Sequence, residues 1–487
     1  MLCLATGPLA DAVASIAEEV VEDADARECD LAVATDPDGP TLARLFDSLG
    51  AAGICYTEWP PRFGGVGAVE RALRAAGFEE VACYRLWPAG ADAPIFRIPT
   101  AAPGASAYVR SRQRLRGGRL RRLMAEIRRR AGDLVRGRTG VPLCALARRP
   151  GASSGEPAPA EWLRREWPRW NLGPPPSRLS TLLVTGGPRS VSKVVLIAFA
   201  EPSAIPLVVL KAPRVPEAGA GVRREAEALA EIAIRRPGGA PGVPRVLTRR
   251  DIAGVPLVCE TAIVGRPLEA VLTRRNLAHW AGAVTDWLAA LALRQPSRPP
   301  IHWREAIVEP ALARFAADFR GVVDPGMLRD GETLVRGIGG LPAVPEQRDF
   351  GPWNVLVTPE SGIAVLDWES AEVDGLPALD LLYFLAYASF AVDGARTREQ
   401  RIVSFRRSLD PASATGAVRR DCLGRYVAAL GLDPSQLDPL RALVWLIHAQ
   451  SDVRHAAADA GDAPPPALLA RSLFLGLWEE EVRHIGR

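Results

Sequence analysis

Lysine is almost missing from this chain. Lys193 and Lys211 stand alone against a combined Lys and Arg count of 60, so arginine fills nearly every basic position. The richness in Ala, Pro and Gly points to the same GC-driven drift from Lys to Arg. Lys is a compact point charge and Arg a broad planar fork. A lysine kept against that drift marks a place where the fork will not serve. Cysteine is also scarce. The seven thiols (Cys3, Cys29, Cys55, Cys83, Cys144, Cys259, Cys422) are odd in number and lack paired metal spacing, which excludes a disulfide framework and fits a reducing cytoplasm. Five histidines, His279, His302, His448, His455 and His484, share no metal-site spacing. No apolar run approaches the ~18 residues of a membrane helix. The best, 194–210, is broken by Glu201, Pro202 and Pro206. The first residues lack the basic flank of a secretory signal. A net charge of +4 is too small to argue for a polyanionic partner.

What is present is the composition of a globular protein, 48% apolar and 24% charged, and 487 residues exceed one ordinary core. Residues 1–150 read as one domain. Asp30–Ala34, Gly53–Thr57 and Glu80–Leu86 are strand-like, with helical stretches Thr41–Leu49 and Glu70–Ala76 between them. Alternation of that kind predicts a parallel α/β layer. An arginine-rich helical stretch follows, Arg110–Arg138, and Val141–Ala147 is a closing strand. Few aromatics interleave those arginines, which argues against base stacking, so no nucleic-acid partner is expected. Residues 151–177, rich in Pro, Gly and Ser, read as a linker with a short Trp-bearing helix inside it. Strand-like runs Thr181–Thr185, Lys193–Ala200 and Pro206–Ala212 lead into a helix at Val222–Ile232, and helices dominate from Leu268 onward. A β-rich segment, 178–263, thus precedes an α-rich one, 264–487.

The densest chemistry lies between Glu346 and Asp380. Asp349 and Asn354 stand five apart ahead of the apolar run Val355-Leu356-Val357. After the turn Pro359–Gly362, Ile363-Ala364-Val365-Leu366 ends in Asp367. A hairpin joining the two runs brings Asn354 near Asp367, with Asp349 on the loop before it. Phosphoryl transfer uses such a set: one carboxylate orients the attacking hydroxyl, while an amide oxygen and a second carboxylate hold Mg²⁺ on the ATP phosphates.

In these residues the chain resembles the aminoglycoside phosphotransferases, relatives of the protein kinases. That family carries His-Gly-Asp, an Asn five residues after the Asp, an apolar strand and Ile-Asp-Trp-Glu; here the run is Gln347-Arg348-Asp349 through Asn354 to Leu366-Asp367-Trp368-Glu369. The resemblance implies Asp349 as catalytic base, Asn354 and Asp367 as metal ligands, and Asp380 as the acid that braces the catalytic loop. Gln347 takes the place of the supporting His, and Arg348 that of the Gly. Upstream, the turn holding Gly186, Gly187 and Ser190 is expected over the phosphates. Lys211 ends the third strand of its segment, and Glu225 on the next helix is its expected partner. Residues Glu260–Ala262 match the segment whose backbone binds adenine.

The implied architecture is two-domain: a reduced Rossmann-like α/β domain, then a bilobal α+β protein-kinase-like domain. ATP and Mg²⁺ are the implied cofactors, and the acceptor is a hydroxyl on a sugar, amino sugar, amino alcohol or natural-product intermediate. The amino-terminal third resembles the second half of a class I methyltransferase, with Leu49–Ile54 and Leu73–Phe78 each leading into a strand. Its Gly-x-Gly-x-Gly cofactor loop is missing, so S-adenosylmethionine is not expected. Two alternatives accompany this reading. One is a nucleotide-binding pseudokinase, which Gln347-Arg348 suggests; the other is a methyltransferase with an accessory kinase-like part. Oligomeric state is not legible.

Overall fold

Runs of Val, Ile and Leu bounded by Pro and Gly become strands here, and the helices follow their own capping signals. The structure, a computed structural model, describes every residue except 6–7, 17–18, 22–27, 61–64, 88–94, 113–141, 151–158, 186–192, 216–217, 237–238, 253, 294–303, 361, 461–464 and 487. Most of the arginine-rich stretch and the turn with Gly186, Gly187 and Ser190 therefore lie outside the described residues. The chain divides into two compact units, Met1–Val222 with Val246–Ala262, and Arg223–Arg245 with Ile263–Arg487.

The first unit is built on eleven strands in one sheet: β1 (Leu2–Leu4), β2 (Cys29–Thr35), β3 (Leu49–Trp59), β4 (Glu80–Trp87), β5 (Phe96–Pro99), β6 (Leu143–Arg148), β7 (Leu179–Thr185), β8 (Lys193–Ala200), β9 (Pro206–Pro213), β10 (Val246–Ile252) and β11 (Val255–Thr261). Their order is β1-β2-β3-β6-β4-β5-β7-β8-β9-β11-β10. Only β1, β2 and β3 pair in parallel, with the helix Gly39–Ser48 crossing from β2 to β3. Every further neighbouring pair is antiparallel. The uniformly parallel layer expected of the amino-terminal part gives way because β6 inserts between β3 and β4, opposed to both.

Pairing of Phe96 with Val184 and Arg97 with Leu183 joins β5 to β7, so the amino-terminal strands continue into those of 178–263. The stretch expected as a linker also contributes core. Leu163, Trp167 and Trp170 pack with Ala198, Val208, Leu210 and Cys259 on one face of the sheet. On the other face the helix Pro103–Arg112 seats Ala105 and Val109 against Leu182, Ile197 and Phe199. The side chains of β8 alternate between these two layers, as the two-residue period of a strand requires.

The second unit is mainly helical. Thr397 and Gln400 form a capping box at Arg398–Leu409, and Ser413 and Ser472 cap the helices that follow them. Its core is aromatic, with Trp368, Trp445, Trp478, Phe315, Phe319, Phe384 and Phe405 fully buried. Short strands carry the loops: β12 (Arg266–Pro267), β14 (Val355–Val357) and β15 (Ile363–Val365) form one sheet, and β13 (Val344–Glu346) pairs with β16 (Glu372–Gly375). Among the described residues no helix is long and apolar enough to cross a membrane.

Candidate active site

The hairpin read from the sequence is present in the second unit. β14 pairs with β15 through Val355–Val365, Leu356–Ala364 and Val357–Ile363. One further pair, Leu366 N–H to the Asn354 carbonyl at 2.9 Å, sets Asn354 beside the residue that precedes Asp367. The loop ahead of β14 is drawn tight by Gly351 N–H to the Asp349 carbonyl at 2.7 Å and Asn354 N–H to the Gly351 carbonyl at 2.9 Å. Asp349 and Asn354 meet inside it. The Asn354 amide nitrogen donates to the Asp349 carbonyl and to its carboxylate Oδ2, each at 2.9 Å. With the nitrogen committed to Asp349, the amide's other atom is its oxygen Oδ1.

Two aromatic donors complete the setting of Asp349. The Trp353 indole donates to Oδ2 at 3.4 Å and the Tyr383 hydroxyl to Oδ1 at 3.3 Å. Burial pushes the Asp349 carboxyl up to about 6; the Trp353 hydrogen bond opposes that rise, the nearby Asp367 charge adds to it, and Asn354 and Tyr383 pull it back. A carboxylate near 6 is mostly ionised at neutral pH yet basic enough to receive a hydroxyl's proton. Neither Trp353 nor Tyr383 was singled out in the sequence. Tyr383 had a signal, since it stands three residues after Asp380 on the helix Leu379–Asp393 and so shares its face.

Gln347 performs a bracing role. Its Oε1 accepts the Asp349 N–H at 2.9 Å, while its Nε2 donates to the Leu366 carbonyl at 3.1 Å and to the Asp367 carbonyl. One buried amide thus ties the loop of Asp349 to the turn of Asp367, using a donor end and an acceptor end together. Asp380 holds the same loop from below: its Oδ2 takes Gln347 N–H at 2.6 Å and its Oδ1 takes Arg348 N–H at 2.9 Å. Burial raises the Asp380 carboxyl, and the two backbone donors work against that. Arg348, Asp367 and Ala378 all have left-handed backbones, φ 68°, 64° and 67°. Non-glycine residues in that region each cost on the order of 1 kcal/mol or more, and such strain gathers where a loop must hold one shape.

The remaining predicted residues fall in two places. Glu225 belongs to the second unit, where its Oε1 accepts the buried Trp368 N–H at 3.1 Å. Lys211 belongs to the first unit and forms a buried ion pair with Glu260, Nζ to Oε1 at 2.5 Å. Sequence reasoning assigned Glu260 a backbone role only. The register explains the side chain's part: Glu260 pairs with Val209 and Val258 with Lys211, so both charges lie on one face of the sheet. The Ala262 N–H donates to the Leu207 carbonyl at 3.0 Å. Lys193 opens β8 opposite Pro213.

No protein-family model matches the chain, and no curated protein matches it. Among solved structures it is similar to a thermostable mutant of aminoglycoside phosphotransferase APH(4)-Ia in ternary complex with ADP and hygromycin B. That likeness has a TM-score of 0.41 and 16% identity, over 67% of this chain and 99% of the other. An aminoglycoside phosphotransferase from Alicyclobacillus acidocaldarius gives a TM-score of 0.39 and 14% identity, over 69% of this chain and 97% of its own. One from Streptomyces rimosus, in complex with ADP and streptomycin, gives 0.33 and 16%, over 52% and 91%.

Proposed function

We propose that the chain is an ATP-dependent phosphotransferase that passes the γ-phosphate of ATP to a hydroxyl group of a small molecule. The observation that carries this reading is the Asp349 carboxylate: half-buried, raised to about 6, fixed by three side-chain donors and tied through Gln347 to the turn of Asp367. In the proposed reaction Asp349 accepts a hydrogen bond from the acceptor hydroxyl and takes its proton as the oxygen attacks phosphorus in line. The γ-phosphoryl group leaves ADP as the new P–O bond forms.

Asn354 Oδ1 and the Asp367 carboxylate would hold Mg²⁺, which, when bound, neutralises charge on the ATP phosphates. The donor set fits that ion. Both ligands are hard oxygens, and among the described residues no three His, Cys, Asp or Glu side chains gather into an all-protein cage. Magnesium is commonly held this way, by one or two protein oxygens completed by substrate phosphates. Lys211 is assigned to the ATP phosphates, Gly186, Gly187 and Ser190 to their cover, and Glu260–Ala262 to adenine. The acceptor is placed among sugars, amino sugars, amino alcohols and natural-product intermediates.

Titration calorimetry with Mg·ATP tests the nucleotide half. Asp367→Asn is expected to weaken the magnesium-dependent part of binding by about tenfold or more, the loss of one charge-assisted contact. Equal Mg·ATP affinity in Asp367→Asn and wild type would sink the assignment.

A further inference from the structure

Arg348 departs from the glycine of the pattern the chain resembles, and the proposed chemistry makes no use of its side chain. That side chain enters a cavity of about 500 Å³ in the second unit, shared with Arg224, Arg454, Ser370 and Ser451. We propose that this cavity is an anion site that takes the phosphate group of a small phosphorylated molecule, separate from the ATP phosphates.

Three guanidiniums converge on it, and little of their hydrogen-bonding capacity is spent. Among the described residues, Arg224 gives its Nε to the Glu369 carbonyl at 3.4 Å, and Arg454 donates to the Ser451 hydroxyl at 2.8 Å. Arg348 lies 3.7 Å from Glu346, beyond direct hydrogen-bond distance. Guanidinium forks match phosphate oxygens in pairs, and the Ser370 and Ser451 hydroxyls add donors of the kind a tetrahedral oxyanion takes up. The cavity's acids oppose this only in part. Glu346 accepts Leu376 N–H at 3.0 Å, and Asp380 gives both oxygens to the backbone of Gln347 and Arg348. Burial raises the Glu346 carboxyl to about 7, which reduces its negative charge near neutrality; Asp380 keeps its charge there and spends it on the two backbone donors. Glu372 is the remaining carboxylate in the lining. His448 is also in the lining; burial, and then the charges of Arg348 and Arg454, push its imidazole down to about 3. A neutral His448 stacks on Tyr383 with ring centres 4.3 Å apart, and Tyr383 bonds Asp349.

The test is titration calorimetry on the full chain with inorganic phosphate and with glucose 6-phosphate, at constant ionic strength set with sodium chloride. One equivalent should bind, and Arg454→Gln and Arg224→Gln should each weaken it by about tenfold or more. Arg454→Lys, which keeps the charge and loses the fork, should fall between. Saturating Mg·ATP should leave phosphate binding unchanged. Tighter binding of the sugar phosphate would identify a phosphorylated metabolite as the ligand, and equal binding would identify free phosphate; both support the site. Phosphate affinity indifferent to all three variants, or displacement of phosphate by Mg·ATP, would overturn it. Because no turnover is measured, this result stands apart from the phosphotransferase reading.

Discussion

Burial raises Asp349, while hydrogen bonds from Trp353, Asn354 and Tyr383 hold it to about 6, and that balance sets a measurable pH dependence. A base must be ionised to accept a proton, so kcat/KM should fall about tenfold per pH unit below that value. Removing a donor to the carboxylate makes the charged form less favourable and raises its pKa. Tyr383→Phe should therefore move the acid limb of the pH–rate profile upward; a limb that stays in place would show that Tyr383 does not act on Asp349. The hairpin between Asn354 and Asp367 was legible in the sequence, because its two apolar runs lie close together along the chain and a single turn joins them. Lys211 stands out in the sequence for a different reason, its rarity. The Glu260 side chain was not legible. Its partnership with Lys211 depends on which residues of β9 and β11 face each other, and register is decided by packing of the whole sheet.

At the scale of elements, the turn between Asp349 and Asn354 is shaped by a close approach. A Cβ on Gly351 would stand 2.2 Å from the Trp353 ring, nearer than any real contact permits. Trp353 must then leave its place, and with it goes one donor to the carboxylate. Gly351→Ala is expected to lower kcat by about tenfold to a hundredfold, the range for losing a well-placed loop contact, with Mg·ATP affinity retained. Turnover kinetics beside calorimetry check both halves; unchanged kcat would mean that the indole is dispensable. The strand and helix runs of 178–487 were largely readable from apolar periodicity. The insertion of β6 between β3 and β4 was not, nor was the pairing of β5 with β7. Both are pairings between residues distant in sequence, and nothing in the local pattern of either strand names its neighbour.

Each unit of the molecule has its own core, and in the second a buried charge cluster lies among the helices. Glu481, fully buried, accepts from Arg419 at 2.5 Å and from Arg441 at 2.6 Å. Removing one member of such a cluster strands its partners in a medium that cannot solvate them. Glu481→Ala should destabilise the second unit by about 3–5 kcal/mol, read from denaturant unfolding; a loss within 0.5 kcal/mol would mean that water reaches the two guanidiniums. The proposed function at this scale requires both ATP and an acceptor hydroxyl. The central claim is tested most directly by ADP release with Mg·ATP across a panel of sugars, amino sugars and amino alcohols, wild type beside Asp349→Asn. The expected result is an acceptor that accelerates ADP release in the wild type, with a phosphorylated product, and a rate lowered about a hundredfold or more in Asp349→Asn. Acceptor-dependent phosphorylation that proceeds equally fast in Asp349→Asn would contradict it.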